Sequence, residues 1–227
     1  MVERFTQNPL LTTHNIKPSR EGFVVECVLN PGVFTFRDKI WLLLRVAERP
    51  VQEEGFISFP VFNHRHETEI IKLRKDDPEL DLSDTRVISY RGRGYLTTMS
   101  HLYLMCSDNG RSFYEPEDYD TRIFAKGPLE SFGIEDCRVS RLDDEYLLTY
   151  TQVSPYGVGV GLIRTRDWKE YDREGMIFPP HNKDCCIFEQ KVNGNYIALH
   201  RPSGIDLGGN FIWIAESPDL IHWGNHR

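Results

Sequence analysis

One short pattern returns along this chain: an apolar strand, a polar turn, and a second apolar strand opened by an aromatic residue. Val33-Phe34-Thr35-Phe36 runs through Arg37-Asp38-Lys39 into Ile40-Trp41-Leu42-Leu43-Leu44. Val139 to Leu142 turns at Asp143-Asp144 into Glu145-Tyr146-Leu147-Leu148-Thr149-Tyr150, and Ile187 to Val192 turns at Asn193-Gly194 into Asn195-Tyr196-Ile197-Ala198-Leu199. Asn-Gly between apolar runs favours a tight hairpin, because both residues tolerate positive φ. A weaker copy runs Arg86 to Tyr90, Gly92-Arg93-Gly94, then Tyr95 to Thr98. The second-strand aromatics Trp41, Tyr95, Tyr146 and Tyr196 are then 54, 51 and 50 residues apart. A period near 50 with about four short strands per unit is the signature of a β-propeller. The expected fold is all-β, with about four blades in this chain and residues 1–227 forming one propeller domain.

A further element supports the period. Ser107-Asp108-Asn109-Gly110-Arg111-Ser112-Phe113, Thr165-Arg166-Asp167-Trp168-Lys169-Glu170-Tyr171 and Ser217-Pro218-Asp219-Leu220-Ile221-His222-Trp223 each run hydroxyl, polar turn, aromatic, downstream of three hairpins. No long amphipathic helical pattern competes. Glu67 to Lys75 suits a strand, given Ile70-Ile71 and the flanking Thr68. Gly157-Val158-Gly159-Val160-Gly161 lacks the spacing and following helix of a dinucleotide loop and reads as small residues in a strand.

Composition bounds the function. The 227 residues carry a formal charge of −7, which argues against nucleic acid or an anionic membrane surface as partner. No apolar leader follows Met1, and the longest apolar run, Ile40 to Leu44, stops at Arg45, so neither signal peptide nor transmembrane helix is expected. Cys27, Cys106, Cys137, Cys185 and Cys186 are odd in number and have no ligand-like spacing, so reduced thiols in a cytoplasmic protein are expected. His64-Arg65-His66-Glu67 has metal-like residues, but its place between two strands makes it an exposed hairpin tip. No metal site is expected.

In a propeller the innermost strand of each blade lines a common axis. Asn30, Asp84, Asp136 and Asp184 precede the four first strands and should converge there. The densest cluster is Glu135-Asp136-Cys137-Arg138, two carboxylates and a guanidinium within four positions. Asp84-Thr85-Arg86-Val87 nearly duplicates its second half. An acid, a neighbouring acid and a cation suit acid catalysis on a sugar, whereas an ion-pair staple between blades is the structural alternative. Lys183, beside Asp184, could hold an anion or simply point into water. Arg201, after His200, could pair with a phosphate or carboxylate or cap the sheet edge. Arg45 closes an apolar strand in the same way.

At these residues the sequence resembles glycoside hydrolase family 130. Asn30-Pro31-Gly32 with Leu44-Arg45, Gly133-Ile134-Glu135-Asp136-Cys137-Arg138, Asn182-Lys183-Asp184, Leu199-His200-Arg201-Pro202 and Ser217 to Gly224 match its motifs in order. The resemblance implies a five-bladed propeller acting on mannose-containing oligosaccharides. Its members are β-mannoside phosphorylases, which invert the anomeric centre with inorganic phosphate as co-substrate and release mannose 1-phosphate, or β-1,2-mannosidases, which use water. It further implies that Asp136 is the general acid and that Asn30, Arg45, Glu135 and Asp184 bind the sugar. Arg138, Lys183, His200 and Arg201 would bind phosphate. Beyond inorganic phosphate no cofactor is expected. The stretch from Ser217 to His226 points within the family to β-1,2 linkages. Cys137 stands where the family has proline, and family members run on beyond the position of Arg227. The chain is therefore expected to lack a C-terminal part, or a second copy would complete the ring as a homo-oligomer. The rival readings are an inverting β-1,2-mannosidase and a propeller that only binds.

Overall fold

The computed structural model describes residues 4–63, 65, 67–204 and 210–227. Its strands are β1 (Phe23–Phe36), β2 (Lys39–Pro50), β3 (Phe56–Phe62), β4 (Thr68–Arg74), β5 (Leu80–Asp81), β6 (Val87–Tyr90), β7 (Arg93–Leu96), β8 (Met99–Ser107), β9 (Arg122–Ile123), β10 (Ile134–Leu142), β11 (Glu145–Ser154), β12 (Gly157–Thr165), β13 (Asp172–Phe178), β14 (Asn182–Ile187), β15 (Tyr196–Pro202) and β16 (Trp213–Ser217). Three antiparallel sheets have the order of propeller blades: β1-β2-β8-β9, β10-β11-β12-β13 and β14-β15-β16. Their first strands lie side by side, β1 against β10 and β10 against β14, as inner strands around an axis do. Among the described residues no helix is long and apolar enough to cross a membrane.

The blade count corrects the sequence reading. The weak copy at Arg86–Thr98 is not a blade. Its hairpin, β6–β7, joins β5 in a separate three-stranded sheet, and β3–β4 forms a two-stranded one. Both belong to an insertion, residues 51–98, between the second and third strands of the first blade. β8 pairs along β2 from Ile40↔Ser107 to Glu48↔Met99, so the Ser107 motif belongs to the Trp41 hairpin. Among the described residues three sheets have the blade order, where about four were expected.

The recurring hydroxyl–turn–aromatic element is the same turn three times. Ser107 Oγ accepts from the Gly110 amide at 2.9 Å, Thr165 Oγ1 from Trp168 at 3.0 Å and Ser217 Oγ from Leu220 at 2.9 Å. The carboxylate or amide two residues on accepts the next amides, as Asp167 does from Lys169 at 2.9 Å and Glu170 at 3.0 Å. Side chains that satisfy backbone donors in this way stop the third strand and turn the chain outward.

The core lies between the blades. Phe34, Trp41, Tyr146 and Trp168 pack between the first two, with Phe34 stacked on Trp168 at 4.0 Å between centroids. Leu147, Leu162, Phe178, Ile187 and Ala198 fill the space between the second and third. The glycine-rich run is strand β12, as its composition indicates. A side chain on Gly161 would meet the Tyr150 ring at 2.5 Å, so close packing against a neighbouring aromatic is why small residues stand there. The Asn193-Gly194 turn forms with φ of 52° and 83°, both positive as the hairpin requires. Strand β4 replaces any helix at Glu67–Lys75. His64 and His66 lie outside the described residues.

Candidate active site

Each inner strand breaks register at a matching place, between Leu29 and Gly32, between Glu135 and Arg138, and between Lys183 and Cys186; β1 has a further shift between Val25 and Cys27. At each matching break one residue takes a left-handed backbone: Asn30 (φ 36°), Asp136 (φ 49°) and Asp184 (φ 55°). Asparagine and aspartate tolerate that region better than other side chains, which explains the residue type. A bulge of this kind re-aims its side chain away from the alternation of the pleat. The three polar residues therefore sit inside strands rather than ahead of them. Asp84 does not share this position. It caps an exposed turn, accepting from the Arg86 and Val87 amides at 2.7 and 3.2 Å.

Two of the three bulges meet. Asn30 Nδ2 donates to Asp136 Oδ1 at 3.0 Å. Arg45, from β2, reaches both acids: Nη1 donates to Asp136 Oδ1 at 3.1 Å and Nη2 to Glu135 Oε1 at 2.7 Å. Its Nε donates to Ser100 Oγ at 3.1 Å, so three of its donor groups are fixed. The side chains of Arg45, Glu135 and Asp136 are 14–20% exposed, so water screens this cluster only partly. Asp136 Oδ1 takes two donors and leaves Oδ2 without a protein partner among the described residues.

Burial raises the Glu135 carboxyl above the ordinary range, with help from the Asp136 charge, while Arg45, Lys183 and Arg86 oppose it. Lys183 lies on β14, whose backbone packs against β10. Among the described residues neither Lys183 nor Arg138 has an ion-pair partner. Arg201, by contrast, donates from Nε and Nη2 to Asp184 Oδ2 at 2.7 and 2.6 Å.

His200 is almost fully buried and its ring nitrogens are occupied. Nδ1 lies 2.9 Å from Asn182 Nδ2 and 3.2 Å from Asn182 Oδ1, and Nε2 lies 3.1 Å from His226 Nδ1, so both ring nitrogens are engaged in either tautomer. The ring stacks on Phe178 at 4.4 Å. In this arrangement it supports β15 and offers no free donor to an anion, contrary to the phosphate role expected of it. Burial, with His226 adding to it, lowers the His200 pKa to about 4. A histidine depressed below its ordinary 6.5 or so gives its full stability above that pH, and the contribution is lost as pH falls toward 4. The thermal midpoint should decline across that window, and His200→Phe should flatten part of the decline. An unchanged slope would assign the acid sensitivity to other groups.

Sequence reasoning missed Ser100. Ser100 lies beside the motif because β8 bridges Gly133 in parallel. Gly133 has φ 105°, and a side chain there would come within 2.6 Å of the Ser100 carbonyl, so only glycine permits the approach. Cys137 turns into the core between blades, and burial raises its thiol pKa strongly.

The family model for Glyco_hydro_130, described as beta-1,4-mannooligosaccharide phosphorylase, matches residues 79–227. The chain belongs to glycoside hydrolase family 130. Within the family, a beta-1,2-mannobiose phosphorylase of Listeria innocua serovar 6a is 40% identical over 232 aligned residues, covering 100% of this chain and 65% of the relative. A solved structure of a beta-1,2-mannobiose phosphorylase from Listeria innocua in complex with beta-1,2-mannobiose superposes with a TM-score of 0.90 at 39% identity, over 99% of this chain and 65% of that one. A beta-1,4-mannooligosaccharide phosphorylase of Ruminococcus albus is 32% identical over 94 residues, 40% of this chain and 28% of the relative. The chain thus spans just under two thirds of the Listeria relative, and the resemblance to this family read from the motifs holds.

Proposed function

We propose that this chain carries the acid half of a β-mannoside phosphorylase site acting on short β-1,2-mannosides. The observation that carries the reading is the Arg45 clamp, which holds Glu135 and Asp136 side by side. Similarity to the Listeria innocua enzyme favours the β-1,2 linkage. In this reading a phosphate oxygen attacks the anomeric carbon of the mannosyl unit and the glycosidic C–O bond breaks. A proton from Asp136, passed directly or through a sugar hydroxyl, ends on the departing oxygen. The products are mannose 1-phosphate of inverted configuration and the shortened saccharide.

Phosphate brings its own nucleophilic oxygen, so the site needs one acid and an anion holder. Inverting hydrolysis would require a second carboxylate free to activate water. The nearby carboxylates Glu135 and Asp184 are each engaged by an arginine. That engagement favours phosphorolysis. Arg45 and Asn30 orient Asp136 Oδ1 and leave Oδ2 to carry the proton. Lys183, on the first strand of the third blade, and Arg138 supply charge for phosphate.

The test is release of mannose 1-phosphate from β-1,2-mannobiose with and without phosphate. Product that forms only with phosphate supports the reading; free mannose formed without it overturns it in favour of hydrolysis. Lys183→Ala should raise the KM for phosphate about tenfold or more, with the KM for mannoside little changed. Equal rises in both would move Lys183 to a sugar-binding role.

A further inference from the structure

Arg45 divides its guanidinium between two acids, and other arginines of this chain do not. Arg74 directs Nε and Nη2 at the two oxygens of Asp76, at 2.8 and 2.7 Å. Arg164 directs the same two groups at Glu145, and Arg201 directs them at Asp184. Side-on pairing with one carboxylate is an ordinary use of the fork. Arg45 instead sends Nη1 to Asp136 Oδ1 and Nη2 to Glu135 Oε1. Its Nε is already taken, because it donates to Ser100 Oγ at 3.1 Å. The side-on mode is thereby closed. With Nε held, the planar group cannot turn about its last side-chain bond, and both Nη groups are aimed together.

Strand pairing fixes where that hydroxyl stands. Ala47 lies opposite Ser100 and Arg45 opposite Leu102, so Arg45 and Ser100 are diagonal neighbours on one face of the β2–β8 pair. Ser100 is 3% exposed, which keeps water from competing for the bond. Its main chain is pinned as well, through the parallel bridge to Gly133 just ahead of the two acids. A Cβ on Gly133 would lie 2.6 Å from the Ser100 carbonyl oxygen and 2.8 Å from its nitrogen, so the two backbones are in direct contact. One residue therefore locates the acid strand by its backbone and the clamp by its side chain.

We infer that Ser100 is a positioning residue for the reaction, which withholds Arg45 Nε from side-on pairing and so keeps one guanidinium bridging Glu135 and Asp136. It acts only through Arg45. Without the hydroxyl, Nε and Nη2 are free to close on a single carboxylate, as they do in the other three arginines. If that carboxylate is Glu135, Asp136 keeps only the bond from Asn30.

Phosphorolysis of β-1,2-mannobiose by the full chain tests this, and that arm rests on the function proposed above. Ser100→Ala should lower kcat/KM about ten- to a hundredfold, the scale of a small misplacement at a reacting group, with the thermal midpoint little changed. Ser100→Thr keeps the hydroxyl and should retain most of the activity. Ser100→Val has the shape of threonine without the hydroxyl and should not, which isolates the bond even if Ser100→Ala fails to fold. A lysine has no planar fork to aim, so in an Arg45→Lys background Ser100→Ala should cost less than about twofold more. Equal losses in both backgrounds, or Ser100→Val as active as Ser100→Thr, would overturn the inference and leave the phosphorylase reading intact. If the unmodified chain turns over no mannoside, that reading fails instead. Crystal structures of Ser100→Ala and Ser100→Val then decide the anchor alone. Arg45 closed side-on upon one acid supports it, and Arg45 still divided between both overturns it.

Discussion

Asp136→Asn should lower turnover of β-1,2-mannobiose about 10²–10⁴-fold, the usual contribution of a general acid, with little loss of stability. The separation of the two effects follows from local structure. Asparagine keeps an Oδ1 that can accept from Asn30 Nδ2 and Arg45 Nη1, the two bonds the aspartate now accepts. It also tolerates the left-handed backbone at φ 49°, which most residues would strain to adopt. Only the transferable proton and the negative charge are lost. Circular dichroism and a thermal midpoint within a few degrees of the unmodified chain would show that the fold is kept. If the variant keeps more than a tenth of its activity, the acid lies elsewhere, and Glu135, already raised by burial, is the next to replace. A collapse of stability would instead make Asp136 a staple between blades.

The largest expected effect on stability lies one turn earlier in the chain. Glu130 is 3% exposed and gathers donors from four places: Tyr150 Oη at 2.6 Å, Gln152 Nε2 at 2.9 Å, Arg173 Nη1 at 2.9 Å and the Lys126 amide at 2.6 Å. Removing one partner of a buried ion pair leaves the other uncompensated, typically at about 3–5 kcal/mol. Glu130→Ala should therefore cost about that much in denaturant unfolding. The Glu130 carbonyl also accepts from the Gly133 amide at 2.8 Å, directly ahead of Glu135 and Asp136. Activity should then fall under conditions where the variant remains folded. A loss below about 1 kcal/mol would mean that Tyr150, Gln152 and Arg173 find other partners.

The hairpins of the three blades were legible because their apolar strands and polar turns are local signals, down to the primed turn at Asn193-Gly194. The alignment of Asn30, Asp136 and Asp184 was legible for the same reason, as a repeat. What that repeat meant was not: the bulge depends on pairing with β2, β11 and β15, which no single strand reveals. The Arg86 hairpin was misread because Asp84-Thr85-Arg86-Val87 imitates Asp136-Cys137-Arg138-Val139, and an inserted segment happened to keep the period. The turn element was the better guide, since it occurs three times and so do the blades. At the site, adjacency in sequence exposed Glu135 and Asp136, and Arg45 stood out as the charge that ends the apolar run Ile40–Leu44, although β2 continues through it to Pro50. Ser100 stayed hidden because its contact with Gly133 is made across two blades.

The insertion also sets an order of assembly. β10–β11–β12 and β14–β15 close through connections of two to eight residues, whereas β2 must find β8 across residues 51–98. Each doubling of a loop adds about 0.6 kcal/mol of closure entropy, so this pairing starts roughly 2–3 kcal/mol behind a two-residue hairpin. The insertion's own small sheets shorten that search if they form first. Yet Arg45 lies on β2 and its Ser100 anchor on β8. Pulse-labelling by hydrogen exchange should find the amides of β11 and β12 protected before those of β2 and β8, so that a refolding chain acquires its acid clamp late.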